Sequence, residues 1–227
     1  MNRLAVLGAV LAALAVTSPV CQGEPKDTPA EEFQKTKSRA EAGDVDAQYQ
    51  LAKFYSSGKG TEKNEAEAVK WYRRVARQND ARGQSMLGVM YTNARGVGRN
   101  YCQAIGWFRK AAAQNSAHAQ YNLGYMYAVG KGVPQDQKQA SVWYLKAANQ
   151  NDAGSQRIMG DRYAVGRGVD KDFVKACAWT QVVVPRGGEA ARKQLLAIKS
   201  QMTPNQITEA QKLAKEISAR LKKSVKQ

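Results

Sequence analysis

AQYNLGYMYAVGKGVPQDQKQASVWYLKAANQN, residues 119–151, decides the fold. Ala119, Leu123 and Tyr127 step by four, which puts them on one face of a helix. Gly130 and Gly132 follow, and glycine suits a helix C-terminus that must turn through positive φ. Ala140, Trp143, Tyr144 and Ala147 then fall at i, i+3, i+4 and i+7, the apolar stripe of a second helix. The stretch reads as a helical hairpin, and one hairpin cannot bury an indole by itself.

The same pattern recurs on either side of it. Trp71, Trp107, Trp143 and Trp179, the four tryptophans of the chain, are each 36 residues apart. Tyr55, Tyr91, Tyr127 and Tyr163 keep that step, as do Gly60, Gly96, Gly132 and Gly168, and Ala68, Ala104, Ala140 and Ala176. Gln48, Gln84, Gln120 and Gln156 agree, and so do Leu51, Leu87, Leu123 and Met159. Several positions repeat in one register without an insertion, which marks a repeat array. Asp44, Asp80, Ser116 and Asp152 precede the first helices as N-caps, and Asn79, Asn115 and Asn151 close three units. Small residues at Ala52, Gly88, Gly124 and Gly160 imply a close approach of the two helices of each unit. Stacked hairpins of this kind predict an all-α, right-handed α/α superhelix, a solenoid.

Residues 43–188 resemble Sel1-like repeats, a branch of the tetratricopeptide-type solenoids, with units at 43–79, 80–115, 116–151 and 152–188. Unit four departs at its end. Thr180 stands where Tyr72, Phe108 and Tyr144 are aromatic, and Val184-Pro185 interrupts the helix end, so an altered second helix is expected there. Residues 189–227 are expected to cap the array. Glu189 to Gln201 continues as a helix, Thr203-Pro204-Asn205-Gln206 reads as a capping box, and Ile207, Ala210, Leu213, Ala214, Ile217 and Leu221 form an apolar stripe.

The N-terminus carries a different signal. A basic start, the 13-residue uncharged run Leu4–Val16, and small residues at Cys21 and Gly23 predict an export signal over residues 1–23. Val20 is bulky where a lipidated cysteine needs a small neighbour, which favours ordinary export over lipidation at Cys21. The mature chain is expected to be periplasmic or secreted and to hold no transmembrane segment. Residues 24–42, Pro- and charge-bearing, are expected to be a lead-in, flexible over 24–38.

Lys and Arg number 35 against 19 Asp and Glu, a net charge of +16, which favours anionic partners. Export directs these away from nucleic acid and toward an acidic protein, an envelope polymer or lipid. The single histidine, His118, has no cysteine cluster near it in sequence, and neither H-E-x-x-H nor C-x-x-C occurs, so no metal and no cofactor is expected. The Gly-x-Gly pairs follow helices and lack the strand and Gly-Lys-Ser/Thr of a phosphate loop. No nucleophile elbow surrounds His118, so no catalytic residue is assigned and the chain is read as a non-enzyme. Cys102 and Cys177 lie in the second helices of units two and four, too far apart for a disulfide.

The resemblance implies a concave groove lined by the first helices. The residues there would be Asp46, Tyr49 and Lys53 in unit one, and Arg82, Ser85 and Val89 in unit two. Unit three would add His118, Tyr121 and Tyr125, and unit four Arg157 and Asp161. These positions vary from unit to unit while the core positions repeat, and Tyr and Arg are frequent binding hot spots. The expected function is a non-catalytic adaptor in the bacterial envelope that binds a protein partner, an acidic one, in the groove. Relatives with this repeat act as scaffolds, regulators or immunity proteins. The alternative is electrostatic binding of anionic envelope polymer or lipid.

Overall fold

The computed structural model describes residues 27–224; the expected signal peptide and Cys21 lie outside them. Among the described residues there are ten helices and no strand. The first helices of the four units are α2 (Val45–Ser57), α4 (Ala81–Asn93), α6 (Ala117–Val129) and α8 (Ala153–Val165). The second helices are α3 (Glu65–Arg77), α5 (Tyr101–Ala113), α7 (Gln137–Ala148) and α9 (Phe173–Lys199). Helix α1 (Pro29–Glu41) precedes them and α10 (Pro204–Ser224) follows. Each helix packs on the next along the chain, as a solenoid requires.

The repeating residues are the packed ones. Leu51, Leu87, Leu123 and Met159 are fully buried, as are Ala68, Ala104, Ala140 and Ala176. The small position of each first helix is a steric requirement. A Cβ on Gly88 would lie 2.4 Å from the Phe108 ring, and one on Gly124 would lie 2.8 Å from the Tyr144 ring. In unit four the residue facing Gly160 is Thr180, whose hydroxyl would meet such a Cβ at 2.6 Å.

The glutamines form a buried ladder that ties each unit to its own end. Gln78 donates to Gln48 at 2.7 Å, Gln114 to Gln84 at 2.9 Å, and Gln150 to Gln120 at 2.7 Å. Gln84 and Gln120 in turn donate to the Asn79 and Asn115 side chains at 3.0 and 3.2 Å. Those asparagines, with Asn151, have φ of 60°, 66° and 69°, a conformation asparagine tolerates better than most residues. In unit four Arg186 replaces the donor and reaches Gln156 at 2.6 Å.

The N-terminal end of the array differs from the sequence expectation. Residues 29–41 are not a flexible lead-in but a helix, α1, closed by a capping box between Thr28 and Glu31. Stepping forward by 36 explains it: Thr28 is in register with the cap Asn64, Phe33 with Val69, Ala40 with Ala76, and Gly43 with Asn79. Phe33 and Ala40 are buried, and the Ala40 carbonyl accepts from Gln48 at 3.1 Å, as Ala148 does from Gln156 at 3.0 Å. Helix α1 thus stands in register with the second helices of the units that follow it. At the other end α9 is two helical stretches that meet at a kink at Gly188 (φ 60°, ψ −151°), the altered second helix expected of unit four, and the stretch from Glu189 to Lys199 lies in register with a further first helix. The capping box at Thr203 and Gln206 forms, and α10 buries Ala210, Ala214, Ile217 and Leu221.

Candidate functional site: the inner face of the first helices

Helix α4 touches α6, the first helix of the next unit, and the face that the first helices share is termed the inner face. Side chains bridge units there. Arg82 donates to Asp46 at 2.6 Å and covers the Tyr49 ring at 5.0 Å, while Lys53 sits 5.9 Å from the same ring. Arg82 also pairs with Asp80 at 2.6 Å. That guanidinium holds the Asp80 carboxyl below its usual range despite partial burial, and the two carboxylates raise Arg82 in turn.

Unit three brings Tyr121 edge-on to Tyr144, with centroids 5.7 Å apart, and Tyr125 under Lys131, whose ammonium donates to the Tyr125 hydroxyl at 3.2 Å. His118 Nδ1 and the Ser85 hydroxyl share a hydrogen bond of 2.7 Å. His118 is exposed overall, yet desolvation lowers its pKa against a smaller opposing effect of Asp152. In unit four Arg157 and Asp161 pair at 3.6 Å, and Gln194 of α9 donates to Asp161. Burial raises the Asp161 carboxyl, with Arg157 and Arg167 opposing.

Most of the residues named from sequence therefore share this face. Asp46, Lys53, Arg82, His118, Arg157 and Asp161 are exposed; Tyr49, Val89, Tyr121 and Tyr125 are half-buried. Ser85 is the exception. It is 2% exposed and bonded to His118, so it props a groove residue and offers no surface of its own.

Two clefts open on this face. One of about 370 Å³ is lined by Glu32, Lys53, Phe54, Ser57, Tyr72 and Met86. The other, about 600 Å³, is lined by Tyr125, Val129, Tyr144, Ile158, Asp161, Arg162, Val165, Arg167, by residues of α9 that include Gln194, and by Gln201 just beyond it. They occupy the same place two units apart: Lys53 is in register with Tyr125, Ser57 with Val129, Tyr72 with Tyr144, and Met86 with Ile158. Arg162 and Arg167 were not singled out from sequence. The signal was a break in the 36-residue step, because Phe54, Met90 and Met126 stand where residue 162 is arginine.

Among the described residues no group of three or more His, Cys, Asp or Glu side chains is placed to hold a metal ion. No helix among them is long and apolar enough to cross a membrane. Cys102 is exposed and Cys177 buried, both free.

A stack of helix pairs with a fixed core and a unit-specific inner face defines an α-solenoid interaction module. The Sel1 repeat profile matches residues 45–80, 81–116, 117–152 and 153–181, and the chain belongs to the Sel1 repeat family. Sel1 repeat proteins are protein-interaction modules, in general non-catalytic scaffolds. Among solved structures, the chain is similar to a protective antigen of uropathogenic Escherichia coli strains, at 33% identity and TM-score 0.77. That match covers 88% of this chain but 45% of the antigen, so the chain spans under half of that protein's length. A Sel1 repeat protein from Oxalobacter formigenes matches at 31% identity and TM-score 0.72, over 86% of this chain and 80% of its own. An immunity protein from Pseudomonas aeruginosa shares the fold at 23% identity and TM-score 0.52, over 89% of this chain and 77% of its own. No functionally curated protein matches the chain by sequence.

Proposed function

We propose that the chain is an exported, non-catalytic adaptor of the bacterial envelope that holds a protein partner against the inner face of its first helices. The observation that carries this is the contrast within each unit. Most positions that pack repeat from unit to unit, whereas the inner-face series Lys53, Val89, Tyr125, Asp161 changes chemistry at every step, and Tyr49, Tyr121 and Arg157 differ around the buried Ser85. A shared backbone that displays a different side chain at each step reads a specific surface. The net charge of +16 favours an acidic partner, and the signal pattern in residues 1–23 favours the periplasm or the exterior. An immunity-type inhibitor is one form such an adaptor takes.

The test is capture from bacterial envelope extract with the tagged full-length chain at low and high salt. A stoichiometric protein that stays bound at high salt and is lost with the Tyr121→Ala/Arg157→Ala double variant is the expected result. A second reading rests on the outer side. Arg74, Lys110 and Lys146 cover Trp71, Trp107 and Trp143 at 4.2, 4.6 and 4.3 Å, a row of cations in register on the second helices. Retention of glycan or lipid alone, lost at high salt, would favour this row as a polyanion-binding surface.

A further inference from the structure

The larger cleft contains a side chain that the repeat itself does not call for. Phe54, Met90 and Met126 fill the core at one position of units one to three, and all three are buried. Unit four places Arg162 there, 5% exposed. The residue facing it changes as well, from Val69 and Ile105 to Ser141, which is 2% exposed. Arg162 Nη1 donates to the Gln137 carbonyl at 3.1 Å, the Ser141 hydroxyl at 3.0 Å and the Arg167 carbonyl at 3.1 Å; Nη2 donates to the Gln137 side chain at 3.1 Å.

All four acceptors are neutral. Among the described residues no carboxylate lies within ion-pair distance of Arg162; the adjacent Asp161 is taken by Arg157 and Gln194. A guanidinium keeps its proton at any ordinary pH, so unit four buries a full positive charge balanced by neutral acceptors and by the face of the Tyr144 ring, 5.1 Å away, and by no acid. Neutral hydrogen bonds relieve only part of the cost of burying a charge, and a counter-ion supplies the rest. Arg167 lines the same cleft and adds a second cation. Apolar surface frames it: Ile158 in the wall, and Val129 and Val165, which are 43% and 63% exposed, at the edge. At the position equivalent to Arg162, the pair of units one and two places the neutral Met90, which is fully buried.

We propose that this cleft receives an acidic side chain, Asp or Glu, from an extended segment of the partner protein, with a neighbouring apolar side chain resting on Val129, Ile158 and Val165. The inference rests on the protein-binding reading and deepens it, by naming the place and the chemistry of the contact. The uncompensated buried cation selects the carboxylate. The apolar frame selects a polypeptide over a phosphate polymer, which brings no apolar neighbour.

The full-length chain is panned against a library of short peptides displayed within a loop, so that neither peptide end is free. Enriched sequences should carry Asp or Glu beside an aliphatic or aromatic residue. Changing that acid to its amide should weaken binding roughly tenfold or more, as should Arg162→Met/Ser141→Val, which restores the packing of the other units. The two changes together should cost little more than either alone, the mark of a direct contact. A circular-dichroism melt establishes that the variant keeps its fold.

Equal binding to the folded variant would overturn the cleft assignment and leave the adaptor reading standing. A partner captured from envelope extract without any acidic peptide enriched would overturn the extended acidic segment alone. No peptide and no captured protein would overturn both readings. Binding that needs a free peptide C-terminus, or inorganic polyphosphate that competes through Arg162 as well as the peptides do, would also overturn the proposed occupant.

Discussion

The inner faces of units one and two and of units three and four share a backbone and a core but present different chemistry. In the first pair, charge is exposed and paired: Asp46, Asp80 and Arg82 form one web, and Lys59 reaches Glu32 at 2.6 Å. In the second pair a cation is buried and unpaired by acid, two tyrosines line the cleft, and α9 closes it from beyond. The comparison teaches that in a repeat array the packing positions carry the shape, and departures from the repeat carry the specificity. A residue such as Arg162 is informative because three other units state what packing alone would place there.

The largest effects should not distinguish the halves. Leu51 and Leu123 are fully buried at equivalent places, so Leu51→Ala and Leu123→Ala should each cost ~2–5 kcal/mol in urea unfolding. A biphasic transition in one variant alone would break the premise of a common core, since repeat arrays can lose one end before the other. A smaller cost is expected for Arg162→Met by itself. It removes the guanidinium donors from the Gln137 carbonyl, the Ser141 hydroxyl and the Arg167 carbonyl, while the Ser141 hydroxyl still donates to the Arg167 carbonyl at 3.1 Å, so the loss should be ~1–3 kcal/mol. Adding Ser141→Val should recover part of that loss; if stability falls further with the double change, the arginine is required by the fold itself.

Acid should act on the two halves with opposite sign. Arg82 lowers the folded-state pKa of Asp80, so that carboxylate contributes stability above its ordinary range near 3.8, lost as pH falls through the folded value. Burial raises Asp161, so the folded chain there takes up a proton more readily than the unfolded one. Acidification from the raised value down to the ordinary one relieves a strain at Asp161, and support at Asp80 is lost only below the ordinary value, as pH falls on through its folded one. Side-chain carboxyl shifts followed by NMR against pH would show midpoints on either side of the ordinary one; two midpoints displaced in the same direction would sink the contrast.

The repeats were legible because buried positions recur at a fixed step, and burial constrains residue type more tightly than any surface role. Helix α1 was hidden for the same reason. The indole and tyrosine positions that mark a second helix carry Lys35 and Thr36 there, and only Phe33, Ala40, Gly43 and the Thr28 cap keep the register. The groove residues were readable as a face, but the burial of Ser85 depends on how far α6 leans on α4, a contact between units that no single repeat encodes. Arg162 was legible in principle, as the charged residue in a column where Phe54, Met90 and Met126 are apolar.

The smallest effect tests the surface web of units one and two. Arg82 is 48% exposed in its side chain, and exposed ion pairs contribute ~0–1 kcal/mol because water screens them and ordering two side chains costs entropy. Arg82→Ala should therefore lower stability by no more than about 1 kcal/mol, and the difference from the parent should shrink in high salt. Binding should respond differently, since removing the guanidinium uncovers the Tyr49 ring that it shields at 5.0 Å. If melting at low and high salt shows a large, salt-insensitive loss, the web is a structural tie between the first two units. The division between a core that sets shape and an inner face free to vary would then hold only for units three and four.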